Sequence, residues 1–466
     1  MSNLLRKPKS KHSIDSEGRY QFLNLKENPF PNTPYVNKNN DDIRYNGSIY
    51  ESRIREKEHE QIIKNFIKVP QSDPNHIRLG YILDYSYVGR GNGKSAFALN
   101  LLEEINEEYC LDISNEQNKC FGLHITPEVS GRTKTFYSFT DLIFDTILDK
   151  NLINYSLASL RLGVINELYP NADTDNFETE DDLVDKLNDL KWYRENNIEI
   201  ASITKEIYKE NEILKKTNNT FPLNKDKSTY FSTQITNQKD FKKCYYETLK
   251  KGKDRIEFLF NDLVLLFEAA GFNGAYLIVD DFERIPDFQS KKLKQEFALE
   301  LRTNFFDGIL ENAKIGFYNL ILVLHAGVPR LVEEAWAVSG MDRRSPMNDD
   351  NALNVIRFDK LTIDHAVLML EKYLEKYRID SKKDSLNPFT KEAVKIISEK
   401  AELNASTILA NAHRLIEKAA DQKIESIDEA FVNSQLGKVE EESVNGKNED
   451  ISSESTEDLF KKSKTK

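Results

Sequence analysis

Residues 88–95 of the chain read Val-Gly-Arg-Gly-Asn-Gly-Lys-Ser, and they stand between an apolar run and a helix-forming stretch. The run before them, Gly80-Tyr81-Ile82-Leu83, predicts a buried strand, and the alanine- and leucine-rich residues 96–105 predict a helix. A strand, a glycine-rich loop, a Lys-Ser pair and a helix, in this order, are typical of a phosphate-binding P-loop. The full pattern has glycine where Val88 stands, and a chance Gly-x-Gly-Lys-Ser in an ordinary loop is the alternative.

The residues of this loop have predicted roles in holding phosphate. Glycine has no Cβ, so Gly91 and Gly93 allow the backbone to turn its N–H groups inward. Lys94 would reach the β- and γ-phosphates of ATP, and the Ser95 hydroxyl would bind Mg2+. The helix that follows adds the positive end of its dipole. The predicted cofactors are ATP and Mg2+, and the predicted cofactor-binding residues are Gly89, Arg90, Gly91, Asn92, Gly93, Lys94, Ser95 and Ala96.

A second motif, far along the chain, is acidic. Asp280 and Asp281 follow the apolar run 275–279, and Glu283 comes two residues later. Mg2+ keeps several waters, and a carboxylate at the end of a strand can hold one of them, so Asp280 is predicted to join Ser95 as a metal ligand. Asp281 or Glu283 could then polarise the water that attacks the γ-phosphate. An acidic pair alone also fits the start of a turn, but the two motifs in this order predict a magnesium–nucleotide site.

The rest of the chain divides by composition and periodicity. Further apolar runs at 120–126, 319–324 and 355–358 predict strands, and amphipathic stretches predict the helices between them. Residues 150–252 are too many for a loop and too polar for strands of a buried parallel sheet, which predicts a mainly helical insertion. The predicted domains are an extended or disordered N-terminal arm (1–47), a core (48–149 and 253–360), the insertion (150–252), a helical lid (361–434) and a disordered tail (435–466).

Composition limits the kinds of partner. The net charge of −12 argues against a protein that coats nucleic acid through bulk charge. Two short basic stretches, 131–134 and 250–253, are typical of solvated surface. The chain has no apolar run long enough to span a membrane and no signal-peptide core at its start, so we expect no membrane association and a cytoplasmic location. The three scattered cysteines are expected to be reduced thiols.

The order of these features resembles that of AAA+ P-loop ATPases, in particular the origin-recognition and STAND-like branch of archaea and bacteria. Residues 355–374 are similar to the strand-to-lid junction of that family, and residues 404–419 are similar to its last lid helix. The resemblance covers roughly 75–135 and 254–433 and leaves the insertion unmatched. It implies an α/β P-loop NTPase fold, with a parallel sheet covered by helices on both faces and a C-terminal helical lid.

The resemblance also implies roles for residues that the two motifs do not single out. His325 ends the strand that carries the sensor-1 residue, which touches the γ-phosphate or the attacking water in the family. Arg343 and Arg344 lie where an arginine finger could reach the nucleotide of a neighbouring subunit. A histidine at a strand end and two arginines in a loop are also common without any such role. The predicted catalytic residues are Lys94, Asp281, Glu283, His325, Arg343 and Arg344.

Two departures from the family pattern bear on hydrolysis. Aspartate stands at position 281, where the family usually has glutamate, and Ser406-Thr407 take the place of the lid arginine. The sequence therefore predicts an ATP-binding protein, expected to hydrolyse ATP as a switch or motor with a protein partner, a second copy or DNA. No DNA-binding domain is recognisable, and the resemblance alone suggests DNA maintenance or phage defence. The alternatives are a non-catalytic scaffold that binds a partner through 150–252 and a P-loop kinase, which the lid disfavours.

Overall fold

A computed structural model describes residues 18–67, 76–84, 91–109, 119–172, 174, 177–227, 235–307, 316–325, 327–347, 352–380 and 385–436. By their contacts the residues form two compact units. The sheet unit comprises 55–90 and 94–359, and the helical unit comprises 1–54, 91–93 and 360–466. Residues 1–17 and 437–466, which belong to the predicted arm and tail, lie outside the described residues.

The sheet unit is built on five parallel strands in the order β2-β3-β4-β1-β5. Every residue of β1 and β4 is buried, as expected of a parallel sheet with both faces covered. All five apolar runs of the sequence form strands, so the predicted α/β parallel sheet is confirmed. The strands are β1 (Leu79–Asp84), β2 (Lys119–Ile125), β3 (Phe272–Val279), β4 (Tyr318–Leu324) and β5 (Val355–Phe358).

Two neighbouring residues of β1 show that both faces of the sheet are covered, because successive side chains of a strand point to opposite faces. A Cβ built on Gly80 would lie 2.0 Å from the ring of Phe66, so the helix carrying Phe66 packs directly on the backbone. On the other face the Tyr81 hydroxyl donates to the Ser345 carbonyl (3.1 Å) and accepts from the Trp336 indole (2.9 Å). Burial raises the pKa of Tyr81 to about 12, so its hydroxyl stays a donor at neutral pH.

Helices join the parallel strands, since parallel neighbours need crossover connections. Within the described ranges, none of these or the later helices is both long and apolar enough to cross a membrane. The helices of the sheet unit are α1 (Glu56–Ile62), α2 (Lys94–Glu104), α3 (Phe136–Asp149), α4 (Leu152–Leu168), α5 (Glu180–Leu187), α6 (Leu190–Glu195), α7 (Ile200–Glu210), α8 (Gln238–Lys243), α9 (Lys253–Glu257), α10 (Leu263–Ala269), α11 (Lys291–Arg302), α12 (Val328–Ser339) and α13 (Met341–Arg344).

The stretch 150–252 holds five of these helices, α4 to α8, in its described part, and no strand. Its apolar side chains join the core that lies on the sheet. The ring of Tyr245 stacks on that of Phe144 from α3 with centroids 3.8 Å apart, and the side chains of Phe221 and Phe241 are fully buried. The helical character of this stretch matches the expectation, and its core residues tie it to the sheet unit.

Four helices make up the body of the helical unit within its described residues. They are α14 (Ile363–Tyr377), α15 (Lys391–Lys400), α16 (Ala405–Gln422) and α17 (Glu429–Leu436). The first three begin at capping side chains, Thr362, Thr390 and Asn404, each of which accepts a backbone N–H of the first turn. The predicted lid helices thus have side chains that set where they start.

The segment 18–54 packs against these four helices, although it contains only short 3-10 turns. Phe30 is fully buried between the rings of Tyr373 and Phe389, with centroids 5.9 Å from each. Leu23 and Leu25 are buried in the same core. Residues 1–47 were predicted to form a separate arm, but the described residues from 18 onward consist mainly of turns and bends and are part of the helical unit.

Candidate functional site

The predicted phosphate loop ends at the first residue of α2. Gly91 and Gly93 have φ values of +107° and +84°, which glycine adopts without strain. Lys94 is the first residue of α2, and Ser95 and Ala96 follow in its first turn, which holds no acidic side chain. The first N–H groups of a helix have no partner within the helix, so α2 directs N–H groups and a positive dipole end to where phosphate is expected. Gly89 and Arg90 lie outside the described residues.

Lys94 forms an ion pair with Asp84, the last residue of β1. Both side chains are buried, with 8% and 2% of their surfaces exposed. Asp84 was not predicted as a site residue, because the P-loop pattern contains no acidic position. The available signal was the acid itself, which closes an otherwise apolar strand ten residues before the lysine.

Ser95 and Asp280, the two predicted metal ligands, lie together, and the Ser95 side chain is near enough to lower the pKa of the Asp280 carboxyl. Asp280 is 7% exposed and follows the last residue of β3. Burial raises its pKa, but the neighbouring side chains of His124 and Ser95 and the backbone N–H of Asp281 outweigh burial, so the pKa lies below its usual value. The carboxylate is therefore ionised at neutral pH.

His124 is the second site residue that sequence reasoning missed. It lies in β2, next to β3, and its Nε2 is 3.6 Å from the Asp280 Oδ2 atom. The residue stands inside an apolar run, so periodicity marks it only as part of a strand. The pairing of β2 with β3 brings it to the acid.

The donor atoms at this point suit Mg2+. A buried ionised carboxylate touches a hydroxyl, and both are hard oxygen ligands of the kind this ion prefers. They lie where the end of β3 meets the first turn of α2. The residues present therefore fit a magnesium ion held by Ser95 and Asp280.

Asp281, Glu283 and His325 form a second cluster, in which one polar atom from each lies within 4.8 Å of the others. The His325 Nε2 atom is 2.6 Å from the Glu283 Oε1 atom, and Glu283 is 4% exposed. Asp281 has a left-handed backbone (φ 50°), its side chain is 28% exposed, and it forms an ion pair with Arg284. Three of the predicted catalytic residues thus lie together, with Glu283 the most buried.

Arg343 and Arg344 lie away from this cluster, on the short exposed helix α13. The Arg344 Nη2 atom is 3.7 Å from Asp307, and the backbone N–H of Arg343 donates to Asp342 (2.9 Å). Neither contact involves another predicted site residue.

In the helical unit, residues 91–93 contact the start of α16. The backbone N–H of Ser406 donates to the Gly91 carbonyl (3.0 Å), and the Asn404 side chain donates to that of Asn92 (3.3 Å). A Cβ on Gly91 would lie 2.1 Å from the Ser406 Oγ atom. The position at which the sequence lacks a lid arginine therefore contacts the phosphate loop through a backbone N–H and an asparagine, which the sequence analysis did not single out.

Comparison with protein-family models and with curated proteins finds no match. Among solved structures, the chain is similar to the ORC2 protein of Aeropyrum pernix, solved as ADPNP–ADP complexes. The identity is 11% and the TM-score 0.42, over 83% of this chain and 68% of that one. It is also similar to a Walker-type ATPase of Pyrococcus abyssi, with 12% identity and a TM-score of 0.36 over 88% of this chain and 76% of that one.

The fold assignment rests on the topology of the chain itself. A parallel sheet has its first strand followed by a glycine-rich loop and a helix that begins at Lys94, and an acid follows β3. The predicted α/β fold with a parallel sheet is confirmed by this arrangement, and its order of strand, loop, helix and acid is the one expected of a P-loop NTPase.

Proposed function

We propose that the chain binds ATP with Mg2+ and hydrolyses it, acting as an AAA+-type switch or motor. The observation that carries the proposal is the contact between Ser95 and Asp280. The two residues are far apart in sequence and come from separate motifs, and a chance glycine loop and a chance acidic turn would have no reason to meet.

Phosphate binding would use the end of the loop and the start of α2. The positive end of an eleven-residue helix favours anions, and Gly91 and Gly93 let the backbone approach them closely. Lys94 would supply a charge to the β- and γ-phosphates. Ser95 and Asp280 would hold Mg2+, which neutralises charge on the phosphates when it is bound.

Hydrolysis would use Glu283 to polarise the attacking water. Glu283 is buried, with one carboxylate oxygen 2.6 Å from His325, whereas Asp281 is partly exposed and paired with Arg284. A buried carboxylate with a neighbour at short range is a better general base than an exposed one, because its orientation and its solvation vary less. This favours Glu283 between the two residues that the sequence offered, with His325 in a sensor-like position beside it.

Arg343 and Arg344 are proposed as residues that act on the nucleotide of a second copy of the chain. They are exposed, and neither contacts the Asp281–Glu283–His325 cluster. We further propose a protein or DNA partner and a cytoplasmic location, and the resemblance alone suggests a place in DNA maintenance or phage defence.

The proposal is tested by calorimetric titration of the full chain with MgATP and by phosphate release. Wild type should bind ATP and release phosphate, while Lys94→Ala should bind about tenfold more weakly or worse and lose turnover, because a charge-assisted contact is lost. Lys209→Ala, in an exposed helical ion pair on α7, is the matched control and should behave as wild type.

Two further variants separate magnesium binding from phosphate binding. Asp280→Asn and Ser95→Ala should raise the Mg2+ concentration needed for tight ATP binding. ATP binding without turnover in the wild type would favour the non-catalytic scaffold, and absence of ATP binding would contradict the proposal.

A further inference from the structure

Lys94 has a counterion within the protein, and this is Asp84 rather than either acid of the predicted magnesium motif. Asp84 closes β1 and Lys94 opens α2, so the two ends of the phosphate loop are joined by one ion pair. Both residues are less than 8% exposed. The pair therefore lies in a medium of low polarity, where charges interact more strongly than in water.

Nucleotide binding would change the charges around the Lys94–Asp84 ion pair. The phosphates need the ammonium group of Lys94, and they bring negative charge close to the carboxylate of Asp84. Two like charges at short range in a buried site repel each other. A buried carboxylate that loses its cation is also costly, because little water is available to solvate it.

We propose that Asp84 competes with the nucleotide for Lys94 and so sets the affinity of the phosphate loop. This inference rests on the proposed ATP binding at the same site. Without nucleotide, Asp84 neutralises Lys94 and stabilises the protein. With nucleotide, the same carboxylate opposes binding, so its two effects have opposite signs.

The opposite signs distinguish this role from a structural one. Removing the charge of Asp84 should destabilise the ligand-free protein, because Lys94 is left buried without its carboxylate. It should also strengthen binding of MgATP, because the phosphates no longer displace a competitor. If Asp84 only supported the fold, its substitution would lower both the stability of the ligand-free protein and the affinity for MgATP.

The test compares wild type, Asp84→Asn and a matched control, Glu212→Gln, which makes the same chemical change in an exposed pair with Lys215. Thermal unfolding without nucleotide and calorimetric titration with MgATP are measured on the full chain. We expect Asp84→Asn to unfold at a lower temperature yet to bind MgATP about tenfold more tightly, and Glu212→Gln to match wild type in both. Asp84→Ser, which keeps a small hydrogen-bonding group, provides the same readout should the amide not fold.

The outcomes separate the two proposals. If wild type binds MgATP and the Asp84 variants bind it equally or more weakly, the competition is refuted while the proposed function stands. If neither wild type nor the Asp84 variants bind MgATP, the proposed function fails and this inference fails with it. If only the Asp84 variants bind, the competition at Lys94 is supported, whereas the proposed ATP binding by the wild type is contradicted.

Discussion

Glu283 and Asp281 are two residues apart, yet the structure gives them different surroundings. The carboxylate of Glu283 is buried against His325, and that of Asp281 is paired with Arg284 at a more exposed point. A carboxylate in an ion pair with arginine accepts a proton from water less readily than one without such a pair. The difference between the two surroundings decides which of them we expect to act in hydrolysis.

We predict that Glu283→Gln lowers kcat for ATP hydrolysis by about two to four orders of magnitude, because the amide cannot accept a proton from water. The affinity for MgATP should stay close to that of wild type, since Lys94 and the Ser95–Asp280 pair are unchanged. Phosphate release and calorimetric titration measure the two quantities. Asp281→Asn is the matched control with a smaller effect on kcat; the reverse order would assign the base to Asp281.

Residues that belong to sequence motifs could be predicted as site residues. Residues that reach the site only because their strand lies beside another element could not. Lys94, Ser95 and Asp280 were predicted because each type has a set place in a loop or after a strand. Asp84 and His124 were not, because an acid or a histidine within an apolar run acquires meaning only when its strand meets another element. That meeting depends on strand order, which the apolar runs do not encode.

At the scale of elements, the two glycines at the end of the phosphate loop differ in how closely they approach the start of α16. Gly91 and Gly93 both have positive φ, but only Gly91 is in close contact with Ser406. A side chain at Gly93 would meet open space. The backbone strain is therefore shared, and the steric clash is specific to Gly91.

We predict that Gly93→Ala costs about 1–2 kcal/mol of unfolding free energy from the strained backbone alone. Gly91→Ala should cost more, because its Cβ would also lie 2.1 Å from the Ser406 Oγ atom. Urea unfolding measures both, and Gly91→Ala/Ser406→Gly should recover part of the difference. Equal losses for the two single variants would show that the contact with Ser406 adjusts at no cost.

Glu417 of α16 holds the segment 18–54 in the helical unit. Its carboxylate accepts from the Tyr20 hydroxyl and the Asn28 side chain, both at 2.7 Å, and pairs with Arg19 at 2.9 Å. Burial raises the pKa of Glu417, but the hydrogen bonds from Asn28 and Tyr20 and the charges of Arg19 and His413 outweigh it, so the pKa lies below its usual value. The ionised form is the one that the folded state favours.

This lowered pKa predicts an acid-dependent loss of stability. The folded pKa lies below the unfolded one, near ~4.3, so the contribution is fully present above that pH and is lost as the pH falls through the folded pKa. Urea unfolding between neutral and acidic pH should show a smaller loss for Glu417→Gln than for wild type. Glu392→Gln, on the exposed side of α15, serves as control, and identical acid slopes for all three proteins would exclude the role of Glu417.

At the scale of the whole molecule, the two arginines of α13 lead to a statement about assembly. Among the described residues, Arg343 and Arg344 contact Asp342 and Asp307, and we propose that they act on the nucleotide of a second copy of the chain. We predict that Arg343→Ala/Arg344→Ala lowers kcat by about a thousandfold. Mixing this variant with Lys94→Ala should restore measurable turnover, because one copy keeps the nucleotide site and the other keeps the arginines.

The mixing experiment is decided by phosphate release at matched total protein concentration. Each variant alone should be nearly inactive, and the rate of wild type should rise faster than linearly with concentration. A mixture that is no more active than its parts would exclude a role of the arginines on a second copy. A rate proportional to wild-type concentration would show that each chain hydrolyses ATP by itself.

The grouping of the chain into two units was less predictable than its strands and helices. The lid helices show a clear helical spacing of apolar residues and clear capping residues, but the segment 18–54 shows neither. Its position in the helical unit depends on a few buried side chains such as Phe30. Likewise, the polar composition of 150–252 predicts helices without indicating that their apolar faces join the core on the sheet. Composition describes a segment, whereas packing depends on which distant side chains it meets.

The order of the strands has a consequence for synthesis of the chain. β1 pairs only with β4 and β5 among the described strands, and both are made long after it. While the ribosome adds the intervening residues, β1 remains an apolar segment without its sheet neighbours, so its edges are open to wrong pairing. The nascent chain is therefore expected to depend on chaperones until β4 emerges, and ribosome-bound chains ending before Tyr318 should be digested by protease at 79–84.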